Sequence, residues 1–132
     1  MKGFIASLLF VLAFASVPGF AARGPETLRV QVNKEKRAPQ SRLNVRFVEL
    51  IEDSRCPADA NCVWAGNAKI KIRVSKGGRS QEMTLDTNGR NSAANFDNYS
   101  IKLVNLTPHP RSNIRINRNG YVATIMVTRL SR

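Results

Sequence analysis

A chain of 132 residues with 21 Lys and Arg against 9 Asp and Glu carries a formal charge of +12 and has room for one domain. Two cysteines and a single histidine are too few for a structural zinc site, which takes about four Cys, His or carboxylate ligands. Aromatic residues make up 7% of the chain, which argues against single-strand nucleic-acid binding, where charge is combined with stacking rings.

Met1-Lys2-Gly3 leads into a nearly unbroken apolar run from Phe4 to Ala15, followed by Pro18, Gly19, Phe20, Ala21 and Ala22. A charged start, an apolar middle and a small-residue end predict a secretory signal peptide over residues 1–22, cleaved after Ala21 or Ala22. The run is shorter than the roughly 20 residues that a helix needs to cross about 30 Å of hydrocarbon, so a membrane-spanning chain is not expected. No Cys lies near the cleavage point to take a lipid. Residues 23–132 are then the exported domain, periplasmic or secreted, in an oxidising compartment. Four of the six Phe residues belong to the leader, so the core of the domain must be mostly Val, Ile and Leu.

In the exported part, Leu28, Val30 and Val32 alternate with polar residues and predict a first strand from Thr27 to Val32. The polar stretch Asn33–Arg42 reads as a loop. Leu43, Val45 and Phe47 open a second strand that runs on to Ile51. After the cysteines, Ala68, Ile70, Ile72 and Val74 form one face, and Lys69, Lys71 and Arg73 the other. That period of two belongs to a half-buried strand and not to a helix. Gly77-Gly78 then turns the chain into Ser80–Leu85, because glycine accepts the positive φ of a tight hairpin. Asp86–Asn95 reads as turn-rich. Tyr99, Ile101, Leu103 and Asn105 share a side of the next strand, which Pro108 and Pro110 stop. Ile114 and Ile116 alternate around Arg115, and Asn119-Gly120 leads into a last, central strand from Tyr121 to Leu130. No helical stripe is evident. The reading is an all-β antiparallel sandwich or barrel of six to seven short strands behind a cleaved signal peptide.

Export makes a Cys56–Cys62 disulfide the expected state, closing a small loop worth about 2 kcal/mol in the chain-entropy model. A metal site is not expected there: His109, the only histidine, lies far along the chain between two prolines. Residues 53–66 read Asp-Ser-Arg-Cys-Pro-Ala-Asp-Ala-Asn-Cys-Val-Trp-Ala-Gly. This segment resembles a motif of small bacterial secreted proteins and lipoproteins of uncharacterised function. The likeness extends to the strand after Asn67, to Ile101–Pro110 and to the closing strand at Tyr121. It implies an all-β secreted domain and brings no activity with it. Such proteins often carry a lipid-attachment Cys, and this chain departs from them in having none.

The loop reads as self-bracing. Asp53 is placed to accept backbone amides or pair with Arg55, and Ser54 lies in the same turn. Pro57 stiffens the loop, Trp64 covers the disulfide or enters the core, and Gly66 permits a bend. The alternative is a presented loop, with Arg55 docking into a partner's acidic pocket in the manner of a protease inhibitor. Lys69, Lys71 and Arg73 form a candidate anion-binding face for an envelope component or an acidic protein. No Gly-x-Ser-x-Gly or phosphate-binding loop is present, and neither a catalytic role nor a cofactor is expected. The functional expectation is therefore a non-catalytic exported domain that binds anionic partners.

Overall fold

The structure, a computed structural model, describes residues 13–16 and 24–131. The predicted signal peptide falls mainly outside the described residues. Those described form eight strands, most of them with alternating apolar and polar side chains: β1 (Glu26–Gln31), β2 (Glu35–Arg37), β3 (Asn44–Asp53), β4 (Ala68–Lys76), β5 (Arg79–Asp86), β6 (Ala93–Phe96), β7 (Tyr99–Thr107) and β8 (Val122–Arg129). They pair as two four-stranded antiparallel sheets in the orders β1-β8-β7-β6 and β2-β3-β4-β5. The two sheets pack together as a sandwich. No helix among the described residues is long and apolar enough to cross a membrane.

The inward rows meet in one core. Val45, Phe47, Ile70, Ile72, Val74 and Leu85 from one sheet are fully buried, as are Val30, Ala123 and Ile125 from the other. The β4–β5 hairpin forms as expected: Lys76 pairs with Arg79 across Gly77 and Gly78, both at positive φ. Strand β8 sits between β1 and β7, the central place its composition predicts. Its outward residues are nevertheless half-buried rather than covered by a second layer.

Three stretches differ from the sequence reading. Strand β2 lies within a segment read as a loop, and β6 begins in the stretch read as turn-rich and ends one residue beyond it. All three residues of β2 are exposed and only Phe96 of β6 is buried, so neither shows an apolar alternation. Both are short edge strands, and the Glu-Lys-Arg of β2 suits an edge that must not recruit another chain. Conversely, Ile114–Ile116 forms no strand. Arg111 and Ile114 make an isolated bridge, Ile114 is exposed, and Arg118–Gly120 closes as a 3-10 turn capped by the Asn117 side chain.

The third difference is a set of bulges, each adding one unpaired residue to a strand. In β7 the register shifts between Leu103 and Asn105. Asn105 therefore points outward, its Oδ1 accepting from the Leu106 amide at 2.9 Å, and Leu106 takes the core position instead. In β3 the register shifts twice, between Phe47 and Glu49 and again between Leu50 and Glu52. Uninterrupted alternation from Phe47 would have turned Glu49 and Ile51 toward the core. The bulges instead set Glu49 and Glu52 beside Lys71 and Lys69, and leave Asp53 opposite buried Ala68.

Candidate functional site

Loops 54–67, 87–92 and 108–121 gather at one end of the sandwich, and the cysteine motif lies in the first of them. Ser54 and Asn67 begin the loop as a continuation of the β3–β4 ladder: the Ser54 amide and hydroxyl both donate to the Asn67 carbonyl, at 2.7 and 2.8 Å. Asn67 also ties in the second loop, its Oδ1 accepting from the amides of Thr87 and Asn88 and from the Thr87 hydroxyl. Gly66 explains itself here. Its φ is +72°, and a Cβ at this position would lie 1.9 Å from the Ser54 carbonyl oxygen. Only glycine lets the two backbones cross this closely.

The brace beneath the loop is the Asp53–Arg55 pair. Arg55 Nε and Nη2 donate to Oδ1 and Oδ2 of Asp53, both at 2.8 Å, the fork geometry of a bidentate ion pair. Arg55 Nη1 and Nη2 also donate to the carbonyls of Leu106 and Pro108, at 2.7 and 2.9 Å. Side-chain exposure is 7% for Arg55 and 9% for Asp53. Tyr121 completes the group, its hydroxyl donating to Asp53 Oδ2 at 3.0 Å. Burial pushes the Asp53 carboxyl upward, but hydrogen bonds from Arg55 and Tyr121 and the Arg55 charge outweigh it and hold the group below its ordinary value. The same contact, added to burial, pushes the Tyr121 phenol up to about 12. Arg55 is thus turned inward as a structural tie, which removes the side chain that the inhibitor-like reading needed to present.

The disulfide between Cys56 and Cys62 is formed. Its loop is clamped to the third loop. The Ala58 amide donates to the Pro110 carbonyl at 2.8 Å, and the Ser112 amide and hydroxyl donate to Asp59 Oδ1. His109 Nε2 donates to the Cys56 carbonyl at 3.0 Å. Pro57 starts a turn, its carbonyl accepting from Ala60. Trp64 does not cover the disulfide or enter the core: it is 79% exposed, and Val63 before it 88%. The hydrogen-bonding roles of Tyr121, Asn67 and Asp59 are not visible in the sequence, because their partners Asp53, Thr87 and Ser112 lie 68, 20 and 53 positions away.

The candidate anion-binding face is internally matched. Lys69 pairs with Glu52 at 3.6 Å, Lys71 with Glu49 at 3.1 Å, and Arg73 with Glu82. Other carboxylates are engaged too: Glu26 with the amides of Gln40 and Ser41, Asp86 with the Asn91 amide, and Asp97 with Arg79. The outer face of β1-β8-β7-β6 is different. Its outward positions are Thr, Ser, Asn, Gln, Ala, Val and Met with Arg29 and Lys102, and hold no carboxylate. Arg29 and Lys102 are exposed and make no ion pair among the described residues.

A hollow of about 460 Å³ lies between the first loop and the β7 bulge, lined by Arg55, Ala65, Gly66, Thr87, Asn88, Val104, Asn105, Leu106 and His109. Its polar groups are largely those that hold the loops together. Among the described residues, no three His, Cys, Asp or Glu come together as a metal site. Compared with protein-family models, curated proteins and solved structures, the chain finds no match.

Proposed function

We propose that this chain is an exported, non-catalytic binding module whose partner is anionic. The observation that carries the reading is the uneven matching of charge. The carboxylates are concentrated on the outer face of β3-β4-β5 and in internal ties, where they neutralise the cations first expected to bind. The positive excess is left elsewhere: on Lys34, Lys36, Arg37 and Arg42 around edge strand β2, on the opposite sheet face at Arg29 and Lys102, and on exposed loop arginines such as Arg90 and Arg115. A surface of one sign attracts ligands of the other and raises their association rate, an effect that salt screens.

The test compares two charge-matched double variants on an anionic resin. Lys102→Gln with Arg115→Gln lowers the salt needed for elution markedly. Lys69→Gln with Lys71→Gln removes the same charge but also unpairs Glu52 and Glu49, and shifts elution less. Equal shifts would mean that net charge alone governs retention, and retention that salt does not weaken would refute the reading.

A further inference from the structure

We infer that the loop end is a peripheral membrane-contact surface, which docks Trp64 and Val63 onto a lipid layer bearing anionic headgroups. The inference rests on the anionic-partner reading and names the partner and the place. Exposed large apolar side chains concentrate here: Val63 is 88% exposed, Trp64 79%, Ile114 59% and Val104 53%. A soluble domain gains nothing from holding an indole in water, and contiguous exposed apolar groups mark interaction sites. The two loops that carry Val63, Trp64 and Ile114 are locked side by side by the Ala58–Pro110 and Asp59–Ser112 hydrogen bonds. The disulfide closes the residues just before Val63. The side chains are therefore presented by a fixed backbone, so little order has to be gained on contact.

Charge and shape choose the occupant. Val63 and Trp64 stand out from a loop with most of their surface in solvent, so they fit a surface that yields to them. Tryptophan has an apolar body and one N–H donor, the combination enriched where hydrocarbon meets water. Exposed Arg115 follows Ile114 directly and supplies charge complementary to phosphate; each cation near an anionic leaflet strengthens attachment.

Trp64 is the single tryptophan of the chain, so its emission reads this loop and no other segment. The protein, purified in the form that cells export, is titrated with phosphatidylglycerol-rich vesicles and, separately, with phosphatidylcholine vesicles. The expected result is a blue shift of Trp64 emission with the anionic vesicles, reversed by salt, and weak or absent with the neutral ones. Trp64→Ala, measured by co-sedimentation, weakens partitioning about tenfold or more with an unchanged circular dichroism spectrum, since the indole is outside the core. No blue shift, or an equal one with neutral vesicles, overturns the inference. So does a shift seen only with soluble polyglutamate, which would point to an acidic protein. If Trp64→Ala binds vesicles like the parent while salt-sensitive retention on the resin persists, the loop inference fails and the anionic-partner reading stands.

Discussion

Replacing Asp53 with alanine is the most searching perturbation of this fold. The substitution removes two 2.8 Å bonds from the Arg55 guanidinium and the acceptor of the Tyr121 hydroxyl, while Arg55 stays 7% exposed beneath its loop. The Leu106 and Pro108 carbonyls satisfy two of its donors but neutralise none of its charge. Removing one partner of a buried pair costs about 3–5 kcal/mol, against about 5–15 kcal/mol for a whole domain. In a urea titration followed by far-ultraviolet circular dichroism the midpoint should fall by about 2 M. Tryptophan emission is a poor probe here, because Trp64 is already exposed in the native state. The pH dependence gives a second reading. A carboxyl held below its ordinary value adds stability that is complete above the unfolded value near pH 4, and that stability is lost as pH falls through the folded one. Asp53→Asn should flatten this acid limb. A loss below about 1 kcal/mol for Asp53→Ala, the range of exposed pairs, would refute the idea that the brace acts as a buried unit.

Other consequences follow from the same loop end. Gly66→Ala forces a Cβ into the Ser54 carbonyl at φ +72° and should lower stability by about 3 kcal/mol or more; an unchanged melting temperature would contradict the close crossing. With its phenol raised to about 12, Tyr121 contributes stability that is complete below about pH 10 and lost as pH climbs toward 12. Tyr121→Phe should therefore shrink the alkaline loss of stability in denaturant titrations across that range. Reducing the disulfide should cost about 2 kcal/mol, since the loop it closes is short, and should leave the far-ultraviolet spectrum of the sheets intact.

The all-β architecture was legible because alternation is local: Ile70, Ile72 and Val74 announce a buried face without reference to any other part of the chain. The Gly77-Gly78 turn was legible for the same reason, since positive φ is a property of the residue itself. The Asp53–Arg55 pairing could be anticipated from two positions that lie side by side. Edge strands β2 and β6 were hidden, because a strand held by backbone bonds alone leaves no apolar signature. Trp64 was misplaced because an indole is equally at home in a core and at an interface; the loop's path, fixed by contacts to residues about 50 positions later, turned it outward.

The sequence by itself determined that this chain builds antiparallel sheets, where its hairpin turns, and that it carries a large positive excess, since these depend on residue type and near neighbours. Only the tertiary structure decided which cations remain unmatched. The first bulge in β3 turns Glu49 onto the face of Lys71, and the second restores the alternation with a shifted register, so that Glu52 meets Lys69 and Asp53 lies within reach of Tyr121. A bulge adds one residue and reverses every side chain after it, and whether the strand accommodates it depends on the register of its neighbour, which no local pattern contains.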